Sequence, residues 1–229
     1  MTFHILTLFP EIVEGYVRSS LMDKAAQKGI IRCNLVNIRD FARDRHRTCD
    51  DAPYGGGAGM VLKPEPLGEA LDSVGAGEKR TLYPAPGGIP FTNRMARDLS
   101  AEEELVIICG RYEGIDQRII DLYVSDEISV GDYVLSSGEV AALIIIDAVY
   151  RLIEGVIKPE SLLEESFVNG LLEYPHYTRP EEYRGIKVPD VLLSGHHRNI
   201  EKWRLQQSLE KTKKNRPDLY GNYKETGNN

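Results

Sequence analysis

The chain has 229 residues, of which 41% are hydrophobic and 28% are charged, and its formal net charge is −7. This composition predicts a soluble globular protein with one large domain, or a main domain and a smaller one. No apolar run reaches the roughly 18 residues of a membrane span, and the first residues do not resemble a secretory signal. Three scattered cysteines predict reduced thiols and a cytoplasmic location rather than a disulfide framework or a zinc site.

The negative net charge argues against a nucleic-acid-binding protein, but the basic residues are concentrated in two segments. Residues 196–216 contain seven Lys or Arg against two acids, and residues 39–47 contain four Arg against two Asp. A solvated helix face explains either segment alone equally well. Two such segments on an acidic chain favour a polyanionic partner.

Apolar runs of strand length alternate with helical patterns along the first two thirds of the chain. The predicted strands are residues 3–9, 31–39, 81–85, 104–110 and 125–130. The predicted helices comprise one that ends at Gly29, one from a Thr92 cap to about Leu99, one over 114–124 and one over 139–153. This alternation predicts an α/β fold with a mostly parallel sheet and helices on both faces.

The alternation stops at residues 154–170, which predict a mobile linker between two domains. The predicted domains are a catalytic domain over residues 1–153 and a small helical domain over residues 171–229. In the second domain Ser194 is predicted to cap a long amphipathic helix. Its inward residues are predicted to be Ile200, Trp203, Leu205 and Leu209.

The most glycine-dense segment, PYGGGAGM at residues 53–60, matches neither the P-loop nor the G-x-G-x-x-G pattern. It is therefore interpreted either as a flexible surface loop or as a loop that closes over a substrate.

Three other glycine-containing segments each follow a predicted strand: YPAPGG (83–88), CGRYEGIDQR (109–118) and VGDYVLSSGE (130–139). Ligands of α/β sheets bind beyond the carboxyl ends of the strands, so these turns are predicted to lie side by side and form one pocket. In the third segment, residues 133–135 have the composition of a strand. No phosphate-binding signature is present, which favours a nucleoside-like ligand held by backbone and apolar contacts.

Six motifs occur in an order typical of one known family: PYGGGAGM, CGRYEGIDQR, SVGDYVLSSGE, EYPHYTRP, VPDVLLSGHH and KWRLQQSL. In this order they closely resemble bacterial tRNA (guanine-N1)-methyltransferases, the TrmD family of the SPOUT methyltransferase superfamily. The resemblance runs from LTLFP near the start to RPDL at residues 216–219, and the combination is highly specific.

This resemblance implies a parallel sheet with a deep trefoil knot, an exception to the rule that chains do not thread loops. It also implies a homodimer whose active sites are built from both subunits. The implied reaction transfers a methyl group from S-adenosyl-L-methionine to N1 of guanine 37 of tRNA, 3′ of the anticodon, which maintains the reading frame. Mg²⁺ is implied in catalysis, but the sequence shows no metal-binding pattern, and the adjacent His196 and His197 make a poor ligand pair.

The resemblance also assigns site residues. The implied cofactor contacts are Tyr83, Pro84, Ala85, Pro86, Gly110, Tyr112, Val130, Gly131, Asp132, Tyr133, Val134, Leu135, Ser137 and Gly138. The implied guanine and tRNA contacts are Asp51, Tyr54, Gly55, Gly56, Gly59, Glu113 and His176, with the basic residues Arg198, Lys202 and Arg204 of the predicted C-terminal helix.

Two residues depart from the family pattern. Ser137 replaces a glycine that is usual in the family, and it would be strained if the backbone there required a positive φ. Glu165 stands where the family has a catalytic aspartate, and Glu164 remains open as the alternative.

Guanine N1 carries a proton, so its methylation requires a base and a group that stabilises charge on O6. We assign these roles to Glu165 and Arg151 respectively. The target base is expected to leave its stack to reach the pocket. Two alternative functions remain open at this point: a nucleotide-dependent α/β oxidoreductase and a non-catalytic RNA-binding module.

Overall fold

The computed structural model describes residues 1–226 of the chain, with side chains to residue 223. These residues form two compact units that divide between Ile157 and Lys158.

The strands of the first unit are β1 (Thr2–Thr7), β2 (Arg32–Asn37), β3 (Asp50–Asp51), β4 (Val61–Leu62), β5 (Arg80–Pro90), β6 (Glu104–Ile108) and β7 (Asp126–Ser129). β3 and β4 form a small antiparallel pair. The other five strands form a sheet with the order β2-β1-β6-β5-β7, in which all neighbouring strands are parallel. The helices of this unit are α1 (Pro10–Val17), α2 (Ser20–Gln27), α3 (Pro64–Ser73), α4 (Asn93–Ser100), α5 (Gln117–Tyr123) and α6 (Gly138–Tyr150), with 3₁₀ turns at Ile38–Phe41 and Ala76–Glu78.

Helices cover both faces of this sheet, as the sequence predicts. Successive strand residues point to opposite faces, so Phe3 and Ile5 of β1 join one apolar cluster and Leu6 joins another. The first cluster takes its helical residues from α1, α2, α4 and α6, and the second takes them from α3 and α5. The mostly parallel α/β class is therefore confirmed.

Local sequence signals place most helix ends correctly. Thr92 caps α4 as predicted, because its Oγ1 accepts a hydrogen bond from the Met95 amide at 3.2 Å. The start predicted for α5 at Gly114 is wrong. Gly114 has a φ of +122°, which excludes it from a helix, and Asp116 caps the helix through the Arg118 amide at 3.0 Å. The single helix predicted to end at Gly29 is two helices, α1 and α2.

Strand β5 is longer than the predicted residues 81–85. Its pairing with β7 shifts between Pro84 and Ile89, so the intervening residues bulge out before the strand resumes. A Cβ on Gly88 would lie 2.4 Å from the Ile128 backbone nitrogen. The missing side chain at Gly88 allows this close return of the chain.

The second unit contains α7 (Pro159–Leu163), the hairpin of β8 (Glu182–Tyr183) and β9 (Ile186–Lys187), α8 (Asp190–Leu193), α9 (His197–Asn215) and α10 (Pro217–Thr226). Helix α7 lies inside residues 154–170, so this segment is not wholly irregular. Its mobility and its role as a linker remain predictions.

Two predictions for α9 are wrong. Ser194 does not cap it, because α8 ends there and α9 begins three residues later at His197. Leu205 does not face inward and is 50% exposed, whereas Ser208 and Thr212 are buried. Thr212 Oγ1 accepts a hydrogen bond from the Leu172 amide at 2.9 Å and donates to the Ser208 carbonyl at 2.6 Å. The hydrogen-bonded hydroxyl group of Thr212 therefore occupies part of the inward face that the apolar pattern assigned to leucine.

Candidate active site

Three loops, one of them the bulge within β5 and the other two following β6 and β7, meet in one cavity of about 270 Å³. The lining residues are Tyr83–Pro86, Gly110–Gly114, Ile128–Gly131, Tyr133–Gly138 and Ala141. The prediction that these turns form one pocket is confirmed. All residues that the sequence assigned to the cofactor line this cavity except Asp132, and Glu113 also lines it.

The walls of the cavity are close-packed because two of its residues lack side chains. The Gly138 amide donates a hydrogen bond to the Gly110 carbonyl at 2.9 Å. A Cβ on Gly138 would lie 2.5 Å from the Gly110 nitrogen, and a Cβ on Gly110 would lie 2.9 Å from the Tyr83 ring. These contacts fix the start of α6 against the loop that follows β6.

Ser137 occupies its position without backbone strain. Its φ is −158° and its ψ is 143°, an extended conformation that any residue adopts. The side chain is buried and makes no capping hydrogen bond to α6. The glycine that the close packing requires is therefore Gly138. The strand suggested for residues 133–135 is absent, and these residues are irregular.

One wall of the cavity is a neutral aromatic ring. Tyr83 is 7% exposed, and burial raises the pKa of its phenol above the ordinary value. It therefore remains protonated at physiological pH. Tyr112, on the next loop, is 54% exposed and has a φ of +57°, a conformation that is uncommon for a residue with a side chain.

The charged residues at the base of the cavity are connected. The buried Glu139 carboxylate accepts a hydrogen bond from Thr7 Oγ1 at 2.6 Å and faces Arg111 Nε at 3.3 Å. The sequence interpretation gave Glu139 and Thr7 no role. The sequence feature that could have indicated this cluster is Glu139 itself, an acid in the first turn of the largely apolar helix α6.

The glycine-rich loop at residues 53–60 contacts the cavity through Glu113. The Glu113 amide donates to the Met60 carbonyl at 3.0 Å, and a Cβ on Gly59 would lie 2.4 Å from the Glu113 carboxylate. Gly59 and Glu113 are thus brought together. Tyr54 is fully exposed, Gly55 and Gly56 border open space, and Asp51 accepts a hydrogen bond from the Ala52 amide at 2.8 Å.

The two residues assigned to catalysis lie in different units. Arg151 directly follows α6 in the first unit and is half-buried. Glu165 lines a separate cavity of about 340 Å³ within the second unit, together with Glu164, Tyr174 and Arg204. Glu164 already accepts a short hydrogen bond from Tyr174 and pairs with Arg204 at 3.3 Å. Burial, followed by the Glu164 hydrogen bond, raises the pKa of Tyr174 to about 12.

The remaining predicted tRNA contacts are on the surface of the second unit. His176 Nε2 lies 3.7 Å from the Glu173 carboxylate, and its ring centroid lies 4.9 Å from that of Tyr174. Arg198 and Lys202 are exposed on α9, and Arg204 packs over the Tyr174 ring at 4.6 Å. Within residues 1–226, no three His, Cys, Asp or Glu side chains cluster as a metal site requires. No described helix has the length and apolarity needed to cross a bilayer.

Comparison with known proteins identifies the family. The family model described as "tRNA (Guanine-1)-methyltransferase TrmD" matches residues 1–222. A protein of Treponema denticola named tRNA (guanine-N(1)-)-methyltransferase is 68% identical over 219 residues, covering 96% of this chain and 90% of the relative. Proteins with the same name from Borreliella burgdorferi and Treponema pallidum are 63% and 59% identical, covering 98% and 96% of this chain and 95% and 88% of the relatives.

Neither alternative hypothesis, an oxidoreductase or a non-catalytic RNA-binding module, is supported by these matches. The match over nearly the whole chain and the high identity agree with the resemblance carried by the six motifs. The chain belongs to the tRNA (guanine-1)-methyltransferase TrmD family.

Proposed function

We propose that this chain methylates N1 of guanine 37 in tRNA and that the three-loop cavity binds S-adenosyl-L-methionine. Membership of a methyltransferase family implies this methyl donor. The observation that carries the proposal is the convergence of the three loops on one cavity, with two of them following the carboxyl ends of the parallel strands β6 and β7. Ligands of α/β sheets bind at such positions.

The lining of the cavity suits an adenosine group. Pro84, Ala85 and Pro86 supply apolar contacts, and the glycine-rich turns leave backbone groups accessible for hydrogen bonds. The deep trefoil knot of the family is proposed for this region on family membership. We further propose the homodimer of the family, with each active site drawn from both subunits, and a cytoplasmic location.

The chemistry assigned to the chain requires one base and one cation. S-adenosyl-L-methionine supplies an activated methyl group on a sulfonium. Glu165 removes the proton from guanine N1, and Arg151 stabilises the negative charge that moves onto O6. Glu165 rather than Glu164 is proposed as the base because it stands where the family has its catalytic aspartate. No step is assigned to Mg²⁺, because the described residues offer no cluster of three metal ligands.

Two basic surfaces are proposed to bind the tRNA backbone. Arg198 and Lys202 of α9 are exposed, as are three arginines of the loop that follows the 3₁₀ turn, Arg43, Arg45 and Arg47. Asp44 orders this loop by accepting hydrogen bonds from the amides of His46 and Thr48, both at 2.8 Å. Phosphate contacts of this kind give binding that weakens steeply with salt.

The direct test is methyl transfer to tRNA transcripts that carry guanine or adenine at position 37. We expect incorporation only with guanine, and digestion of the product should yield 1-methylguanosine. Incorporation that is independent of this base would contradict the proposed specificity. Glu165→Gln should lose turnover while retaining affinity for S-adenosyl-L-methionine, and full activity of this variant would exclude Glu165 as the base.

A further inference from the structure

A buried polar cluster lies at the base of the cavity and has no part in the chemistry assigned above. Its centre is Glu139, whose carboxylate is 0% exposed. One oxygen accepts the 2.6 Å hydrogen bond from Thr7, and the other faces Arg111 Nε at 3.3 Å. A buried charge requires partners, so this carboxylate depends on both groups.

Arg111 connects this cluster to the loop that lines the cavity. Its Nη1 donates a hydrogen bond to the Ser136 carbonyl at 3.3 Å, and its guanidinium packs over the Phe9 ring at 4.4 Å. The Phe9 amide in turn donates to Thr7 Oγ1 at 2.9 Å. The cluster thereby joins the end of β1, the loop after β6 and the loop before α6.

The loop at residues 130–137 depends on such attachments because it has no regular secondary structure. Tyr133 is 52% exposed and Val134 is 85% exposed, so packing does not hold its middle. At the end of this loop, Arg111 donates a hydrogen bond to the Ser136 carbonyl, and the Gly110 carbonyl accepts one from the Gly138 amide. Both attachments come from the loop after β6, so the orientation of Arg111 fixes the position of the cavity-lining loop.

We propose that Arg111 and Glu139 are positioning residues that hold the loop at residues 130–137 ready for S-adenosyl-L-methionine. This inference rests on the proposed function, because it takes the cavity as the cofactor site. The planar guanidinium reaches the carboxylate and the Ser136 carbonyl at once, which a lysine ammonium does not reproduce. A loop held in its bound conformation loses less entropy on binding, so the pair contributes to cofactor affinity without touching the methyl group.

The test compares Glu139→Gln with a matched carboxylate substitution, Asp126→Asn. Asp126 pairs with Arg80 Nε at 2.8 Å and is 18% exposed, at the amino-terminal ends of β5 and β7 and outside the cavity lining. Calorimetric titration with S-adenosyl-L-methionine should show a Kd raised about tenfold in Glu139→Gln and in Arg111→Lys, and unchanged in Asp126→Asn. The kcat at saturating substrates should stay within about threefold of wild type in both cavity variants.

Wild-type affinity in a folded Glu139→Gln protein would overturn the proposal, as would an equal loss of affinity in Asp126→Asn. If Glu139→Gln does not fold, Thr7→Val decides the question, because it removes the hydrogen bonds of Thr7 Oγ1 with Glu139 and with the Phe9 amide and leaves both charges in place. The expected Kd of Thr7→Val is about threefold above wild type. An unchanged Kd would exclude the positioning role of Arg111 and Glu139. Failure of the wild-type protein to bind S-adenosyl-L-methionine would instead contradict the assignment of the cavity as the cofactor site. The positioning role of Arg111 and Glu139 would then fail as well.

Discussion

Two arginine–glutamate pairs in this protein have the same separation but opposite surroundings. Arg111 and Glu139 in the first unit lie 3.3 Å apart, as do Arg204 and Glu164 in the second unit. Each guanidinium also packs over an aromatic ring, Phe9 at 4.4 Å and Tyr174 at 4.6 Å. The Glu139 side chain is 0% exposed, whereas that of Glu164 is 60% exposed.

Because of this difference in burial, losing one partner costs more stability in the buried pair than in the exposed pair. Water stabilises the exposed carboxylate when its partner moves, so the second pair can rearrange at little cost. Water cannot replace Arg111 at the buried Glu139 carboxylate. The first pair therefore keeps the loop after β6 and the loop before α6 in one arrangement. Equal separation of the charged groups therefore does not mean an equal contribution to stability, and substitutions distinguish the two cases.

The largest difference is expected when each glutamate is truncated. Glu139→Ala leaves Arg111 without its buried partner and should lower the free energy of unfolding by about 3–5 kcal/mol. Glu164→Ala should lower it by less than about 1 kcal/mol. Urea denaturation of both variants measures this directly, and similar losses in the two variants would contradict the role assigned to burial.

The next largest effect is expected at the close contact between Gly138 and Gly110, beside the buried Arg111–Glu139 pair. Gly138→Ala would place a Cβ 2.5 Å from the Gly110 nitrogen, so the start of α6 must shift and lower the unfolding free energy by about 1–3 kcal/mol. Affinity for S-adenosyl-L-methionine should fall with it, as measured by titration. Gly87→Ala is the control, because nothing lies within 4 Å of a Cβ there. Retained affinity in Gly138→Ala would show that this packing does not shape the site.

A smaller effect is expected at the contact between the glycine-rich loop and the cavity. Gly59→Ala combines a φ of +88° with a Cβ 2.4 Å from the Glu113 carboxylate, which must move. We expect kcat/KM for tRNA to fall about tenfold. Gly29→Ala, at a φ of +71° with nothing within 4 Å, measures backbone strain alone and should cost about 1 kcal/mol of stability without changing methyl transfer. Equal loss of activity in both variants would exclude a role for the Gly59–Glu113 contact.

The smallest effect is expected at Ser137, which directly precedes Gly138. Its extended backbone carries no strain and its side chain makes no capping hydrogen bond to α6. Ser137→Gly should therefore change the unfolding free energy by less than about 0.5 kcal/mol and leave cofactor affinity within about twofold. A clear gain in stability, measured by thermal unfolding, would indicate strain that the φ of −158° does not suggest.

The sequence predicted the parts of the molecule that depend on neighbouring residues. Strand and helix periodicity predicted the parallel sheet, and glycines after strands predicted the cavity, because each signal lies within a few residues. The cluster of Thr7, Arg111 and Glu139 could not be predicted in this way. Thr7 and Glu139 are 132 residues apart in sequence, and only the packed sheet brings them together.

The second unit was predicted less well for the same reason. Leu205 follows the apolar pattern of α9, yet the inward surface includes Thr212 because the Leu172 amide needs an acceptor there. A hydrogen-bond requirement that arises from another segment of the chain overrides an apolar pattern within one helix. The interruption of the helix before Gly29 and the bulge in β5 likewise depend on backbone geometry that composition does not specify.

The three-loop cavity is proposed to bind S-adenosyl-L-methionine. Amide hydrogen exchange, measured with and without this cofactor, tests this proposal across the whole chain. We expect the added protection to be confined to residues 83–88, 109–114 and 130–138, where the cavity is lined. Protection confined to other segments would contradict the account, as would cofactor binding that leaves these three loops unchanged.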